Sequence, residues 1–395
     1  MWRREISVKA FLPLTLVASL YATDIQTLVS KSYDNNPTLK KLELQIKASD
    51  YDIKNSDIYK NPILSIGLND INLDEPTDRA LEPMQTQYIS ISQEITDSDK
   101  LEQKSKIAYI NKEILQIILK EKKDQISKKI YTLAYEIQEL EEKIKLNKQK
   151  ILNIKEIKNY HDNHIQHKQA FQISLQNDLM IDTINLSIQI DLEKIEQKYV
   201  KLSELVNDDV KNIENVNEFI YDEDITSHKL LQIEELNIKK ANVKKELARE
   251  NESSDFTLSA GYYQREKFDD YVNIAIKMPL NIYKKESNEL HKSFKQIEIS
   301  RQRYEEVKNA LYKKYKIELS KNRLSKNSIK YIDQILAHLE KEKELIINQN
   351  KMDSVIGALA IENKIIDEKK KRLMYQKQLK QSKLELAYLT STIKR

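Results

Sequence analysis

No cysteine occurs in this 395-residue chain, and it holds only three glycines and six prolines. Average usage at this length would give about 28 Gly and about 20 Pro. Without thiols there is no disulfide framework, no thiolate metal site, no cysteine nucleophile and no lipid-bearing N-terminal cysteine. Gly67, Gly261 and Gly357 stand too far apart for any GxGxxG, GxxxxGK[ST] or GxSxG stretch. With HExxH also missing, the Rossmann, P-loop, α/β-hydrolase and zincin readings fall away. No apolar run approaches the ~18–20 residues of a helical membrane span, and mean hydropathy is −0.65. Charge is nearly balanced, 66 basic against 62 acidic residues, so the net +4 does not suggest a nucleic-acid partner. No constellation of side chains suggests an enzyme, and none calls for a cofactor.

The N-terminus reads as an export signal over residues 1–22. Arg3, Arg4 and Lys9 precede an apolar run from Ala10 to Leu20, and Ala22 offers a small residue for cleavage. The run is too short to span a bilayer, so removal is expected rather than anchoring.

The rest reads as two copies of one unit, residues 23–207 and 208–395, parted by an acidic stretch from Asn207 to Asp224. Leu64-Ser65-Ile66-Gly67 recurs as Leu258-Ser259-Ala260-Gly261, and the same offset maps Leu39, Leu42, Leu44 and Ile53 onto Ile233, Leu236, Ile238 and Leu247. Tyr88-Ile89-Ser90-Ile91 likewise resembles Tyr271-Val272-Asn273-Ile274. Each copy is expected to run helix, strand, loop, strand, very long helix, turn, return helix.

Period-two alternation marks strands at about 62–70, 86–95, 255–264 and 271–280. Leu64, Ile66 and Leu68 alternate with Ser65, Gly67 and Asn69; Ile89, Ile91 and Ile95 alternate with Ser90, Ser92 and Glu94. Phe256, Leu258, Ala260 and Tyr262 then alternate with Thr257, Ser259, Gly261 and Tyr263, and Val272, Ile274, Ile276 and Met278 with Asn273, Ala275 and Lys277. Four strands close no barrel, and an open sheet edge in lipid strands its N–H and C=O groups. If the hairpins enter a membrane, several chains must share one barrel, and three would supply twelve strands.

Long helices are expected at about 98–165 and 284–350, each free of Gly and Pro. At 1.5 Å per residue each would reach ~100 Å. Ile130, Leu133, Ile137, Leu140, Ile144, Ile151 and Ile154 follow heptad spacing, with Asn147 in the missing slot. Ile329, Ile332, Leu336, Leu339 and Ile346 do likewise, with Lys343 in theirs. Return helices are expected at about 171–206, with Ile181, Ile184, Ile188, Leu192, Ile195, Tyr199 and Leu202 on one stripe, and at about 354–392, with Val355, Leu359, Ile366 and Leu373.

Asn35-Asn36-Pro37, Asn61-Pro62-Ile63-Leu64-Ser65-Ile66-Gly67, Gln93-Glu94-Ile95, Leu202-Ser203-Glu204-Leu205, Leu258-Ser259-Ala260-Gly261-Tyr262 and Met278-Pro279-Leu280 occur in that order. Together they resemble the signature stretches of the TolC family of outer-membrane efflux proteins. The resemblance implies a mainly α fold with a small membrane β part. Long α-helical hairpins would form an α-barrel tunnel in a homotrimer, and four strands per chain would contribute to a shared 12-stranded β-barrel. It implies a passive exit duct across periplasm and outer membrane, serving a tripartite efflux pump or a type I secretion system. Partners would be outer-membrane lipid, a periplasmic adaptor protein and an inner-membrane transporter. A soluble periplasmic coiled-coil structural or adaptor protein is the alternative, though an adaptor would need Gly- and Val-rich β modules that this chain lacks.

The resemblance places periplasmic tips near 165–170 and 349–354, where family members often carry Gly; here Asn350 suits a left-handed turn. Where many members ring a closed entrance with aspartates, the matching positions hold Gly357 and Ala360, with Asp353 the nearest acid. Beside the first tip, His161, His164 and His167 cluster within seven residues. Such imidazoles suit Zn, Ni or Cu, or they simply line a polar, solvated turn.

Overall fold

The computed structural model describes residues 24–164, 168–214, 219–348 and 352–393. The expected signal segment, His167 and Asn350 lie outside them. Seven helices and four strands follow in chain order: α1 (Ile25–Asn35), α2 (Pro37–Ser56), β1 (Ile63–Asn69), β2 (Thr86–Ile95), α3 (Ser98–His164), α4 (Lys168–Val206), α5 (Lys229–Glu250), β3 (Phe256–Gln264), β4 (Tyr271–Lys277), α6 (Lys285–Ile347) and α7 (Met352–Leu389). The 67 residues of α3 make it about 100 Å long.

Element ends have local causes. Asn36 caps α2 by accepting the Thr38 N–H at 3.0 Å, and Pro37 sits at the first helical position, where its missing N–H costs nothing. The Asn36 Nδ2 also donates to the Leu205 carbonyl at 3.1 Å, joining two of the sequence stretches singled out above. β1 stops at Asn69 because Asp70 turns left-handed, with φ 52°. β4 ends at Lys277, three residues earlier than the alternation suggests, since Pro279 has no N–H for a ladder and restrains the residue before it.

The helices pack as one layer. Pairs from α3 onto α2 involve its middle, Lys112 to Asp50 and Lys123 to Glu43, while Lys143 to Asp191 and Lys158 to Asp178 reach α4 further along. On the opposite flank α3 meets α5 first, Asp124 to Lys229, and then α7, Lys128 to Glu385 and Lys150 to Asp367. α6 covers α5 and α7 in turn, with Arg303 to Glu234, Lys314 to Glu385 and Arg372 to Asp333. The layer order is therefore α2 then α4, α3, α5 then α7, and α6, with α2/α4 and α6 at the two edges.

The main core lies where the short helices wrap the long ones. Leu28 and Leu39, Ile130 and Ile137 of α3, Leu202 and Val206 of α4, Leu231 of α5, and Leu384 and Leu389 of α7 are all buried there. Fully burying one such side chain contributes roughly 1.5–3 kcal/mol. All seven apolar members of the α3 stripe are buried. Asn147, 2 % exposed in the slot between them, accepts a hydrogen bond from Lys370 of α7 at 3.0 Å. Lys343, in the interrupted stripe of α6, pairs with Glu362 of α7 at 2.6 Å.

Two expected stripe positions are corrected. Leu192 is 45 % exposed; Asp191 takes the inward slot at 1 % exposure and pairs with Lys143. Heptad spacing from Ile184 and Ile188 falls on 191, so a carboxylate stands where the apolar pattern was extended by one residue. Val355 is likewise exposed; in this half of α7 the buried positions are Ser354, Ala358, Ile361, Ile365 and the expected Ile366. α7 lies between α3 and α6 and is contacted on two flanks, which blurs a single stripe.

His228 caps α5 from inside the core. Its Nδ1 accepts the Leu230 N–H at 3.1 Å, so the proton sits on Nε2, which is buried without a partner. Glu121, Asp124, Lys229, Lys314 and Tyr388 surround it, and Tyr388 donates to Glu121. Burial holds the imidazole below its ordinary 6.5; Glu121 and Asp124 oppose that shift, while Lys229 and Lys314 reinforce it. A base kept neutral in the fold contributes stability present above its unfolded pKa and lost as pH falls through it. The melting temperature followed by circular dichroism should therefore fall as pH drops below 6.5, with the cap itself worth about 1 kcal/mol. His228→Asn, which keeps an acceptor and removes the titration, should flatten that limb.

Candidate functional site: the amphipathic sheet

The four strands form one antiparallel sheet in the order β1-β2-β3-β4. Its register aligns side chains into rows, because partners across a ladder share a face. Leu64, Ile91, Ala260 and Ile274 make one row; Ile66, Ile89, Tyr262 and Val272 make the next. Leu258 and Ile276 continue this face toward the helices. The other face carries Ser65, Ser90, Gly261 and Asn273, then Ser92, Ser259 and Ala275, then Glu94, Thr257 and Lys277.

Burial inverts the usual arrangement. The apolar face is the open one, with Ile66 at 73 % and Ile274 at 71 % exposure. On the polar face Ser65, Tyr88, Ser90, Ser92, Thr257, Ser259 and Tyr263 are half-buried and Gly261 is buried. The sheet thus curls around its polar side. Among the described residues no helix packs on either face, and none of them covers the apolar rows. β1 and β4 each keep one unpaired edge.

Glycine here supplies room and no unusual backbone: among the described residues no glycine has positive φ, and Asp70, Asn207, Lys284 and Ser391 take the left-handed positions instead. A Cβ on Gly67 would fall 2.7 Å from the Tyr88 ring, and one on Gly261 would fall 2.9 Å from the Tyr263 ring. Both rings lean over the polar face. The register places Gly67, Tyr88, Tyr263 and Tyr271 in one row at the hairpin-loop end. Tyr88 and Tyr263 stack with centroids 5.4 Å apart, and Tyr263 and Tyr271 at 4.9 Å with ring planes 4° apart. The alternation assigned Tyr263 to the polar phase and gave Tyr88 and Tyr271 to neither; strand pairing reveals that the three form one row.

Comparison with solved structures identifies the architecture. CusC, described in connection with folding and transmembrane channel formation, superposes with TM-score 0.73 at 14% identity, covering 94% of this chain and 95% of its own. The open-state MtrE outer membrane channel of Neisseria gonorrhoeae gives TM-score 0.74 at 13% identity, covering 94% and 90%. The chain has the fold of these outer-membrane channels. VceC, an outer membrane protein of Vibrio cholerae, shares the channel fold at TM-score 0.69 and 12% identity, covering 93% and 95%. No family model matches the sequence and no curated protein matches it, so the likeness is one of structure.

The tip residues are placed only in part. The side chains of His164 and Asp353, and His167 and Asn350 entirely, lie outside the described residues. His161 is half-buried near the end of α3, edge-on to Tyr160 at 5.8 Å, with its Nδ1 lacking a hydrogen-bond partner. Gly357 faces α6, where a Cβ would stand 3.1 Å from Ile346, so it sets the α6–α7 approach. Ala360 is exposed.

Gly67→Ala should displace the Tyr88 ring and destabilise the sheet by about 1–2 kcal/mol, the lower part of the range for overpacking. Tyr88→Ser should recover part of that loss when combined with it, and a double-mutant cycle on thermal unfolding reads the coupling; additive effects would contradict the contact.

Proposed function

We propose that this chain is the outer-membrane exit duct of a tripartite efflux pump or type I secretion system, working as a homotrimer. The carrying observation is the apolar sheet face that none of the described residues covers, curled around a polar one. Lipid would take the outer rows and water the inner ones. Counting Leu68 with Gln87 and Gln264 at the loop end and Ile95 with Phe256 at the helix end, five outer rows two residues apart span roughly 27 Å along the strands, which a tilt of about 40° reduces to roughly 20 Å, comparable with the apolar band of such barrels.

Strand and helix directions favour closure by copies. With four strands, β1 and β4 run opposite ways, so β4 of one copy meets β1 of the next antiparallel, and three copies reach the even number of twelve. The helical layer alternates in the same manner: α4 and α6 are its edges and run in opposite directions. Those edges expose Leu175, Leu179 and Leu186 on α4 and Ile317, Leu324 and Leu345 on α6. Burying them against a neighbour would extend the layer into a tunnel wall about 100 Å long. In this reading residues 1–22 direct export, 23–207 and 208–395 are two repeats, and a periplasmic adaptor and an inner-membrane transporter complete the machine. The duct itself moves no bonds.

Expression in a Gram-negative host should give an outer-membrane protein beginning near Thr23, with the detergent-solubilised mass of a trimer. A soluble monomer or dimer in the periplasm would overturn the reading and favour a coiled-coil spacer. Charge on the two faces supplies a second check. Ile274→Lys, at the centre of the apolar face, should cost about 2–4 kcal/mol and deplete the membrane-inserted form. Asn273→Lys, next to it on the polar face, should insert normally; equal tolerance of both would argue against lipid contact.

A further inference from the structure

The tyrosine row lies on the polar face, where the proposed duct needs only wettable surface. Cross-strand ring pairing adds some sheet stability, yet two features point past that. First, glycines let two of the rings lie close over the backbone, Tyr88 at Gly67 and Tyr263 at Gly261, and the three rings overlap in one continuous stack along the polar face. Second, a cation from the chain itself already rests on the row. The Arg265 guanidinium lies 5.3 Å from the Tyr271 centroid and 5.7 Å from that of Phe268, held by its Nε donating to the Asp269 carbonyl at 2.6 Å.

Charge around the row favours the same kind of guest. Loop 70–85 carries Asp70, Asp74, Glu75, Asp78 and Glu82 against one base, Arg79. That base is engaged with the loop, donating to the Thr86 and Asn69 carbonyls at 2.6 and 3.2 Å. Loop 265–270 adds three acids and two bases. A chain of nearly balanced charge thus concentrates carboxylates above its aromatic row. Ring quadrupoles and a carboxylate rim both attract cations, and flat rings select planar or aromatic ones over compact hydrated ions.

We propose that Tyr88, Tyr263 and Tyr271, beneath the acidic hairpin loops, form a binding site for aromatic organic cations at the outer end of the duct. This rests on the polar face being the lumen. In three copies, three such rows would surround one passage. Arg265 acts as a tethered competitor on the Tyr271 end.

The test is current through the purified full-length chain in planar lipid bilayers, with tetraphenylphosphonium as probe and tetraphenylborate as its anionic counterpart. The phosphonium should block the open current from the loop side at concentrations where the borate does not. Replacing the three tyrosines by serine should raise the half-blocking concentration about tenfold or more, as expected for the loss of several cation–π contacts. The triple phenylalanine variant should retain the block, and Arg265→Ser should strengthen it several-fold by vacating Tyr271. Equal block by both ions, or a serine triple that blocks like the natural chain, would overturn the site while leaving the duct standing. If the serine triple does not assemble, Arg265→Ser decides, and an unchanged half-blocking concentration refutes the proposal. Failure of the natural chain to carry current would defeat the duct and this site together.

Discussion

Backbone groups at the two edges of the sheet, and the apolar rows between them, set the terms for everything else in this molecule. Among the described residues the four-stranded sheet leaves half the hydrogen-bonding groups of β1 and β4 without ladder partners, and no helix packs on either of its faces. In water the apolar face would be a large exposed patch; in lipid the edges would be prohibitive unless paired. Both demands are met together when copies share a closed barrel in a bilayer. The proposed trimer would close the sheet, and the helical layer, apolar at both edges, has the same open-ended character.

The long helices need register as well as burial. A seam of uniform Ile and Leu can slip by a heptad with little penalty, whereas a buried polar group finds its partner in one alignment only. Asn147 with Lys370, Asp191 with Lys143 and Lys343 with Glu362 sit within such seams and tie α3, α4, α6 and α7 at defined heights. Asn322 and Ser382 add a buried hydrogen bond of 3.0 Å between α6 and α7. Each pair leaves an uncompensated polar group if its helices shift, so their contribution lies in specificity more than in net stability.

Scarcity of glycine and proline follows from the same architecture. α3, α4 and α6 contain neither, α7 admits only Gly357 where it meets Ile346, and the left-handed turns are given to Asp70, Asn207, Lys284 and Ser391. The glycines of the sheet are kept where tyrosine rings must lie close to the backbone.

Local pattern determined much of this protein. Period-two alternation marked all four strands, because a strand exposes its two faces to different surroundings wherever it is placed. The α3 stripe was legible because all seven of its apolar positions are buried against the helices that flank it, so the 3–4 spacing of the seam is carried by α3 alone. Val355 and Leu192 misled because apolar spacing cannot tell which flank of a helix is covered, and at position 191 a paired carboxylate outranked the leucine beside it. Only the tertiary structure decided which face of the sheet is enclosed, that Tyr88, Tyr263 and Tyr271 share one row, and that Arg265 rests upon it. Tyr88 joins the row through the pairing of β2 with β3, segments more than a hundred residues apart, and Tyr271 and Arg265 through the β3–β4 hairpin; such register is set by cross-strand hydrogen bonds that no single strand contains.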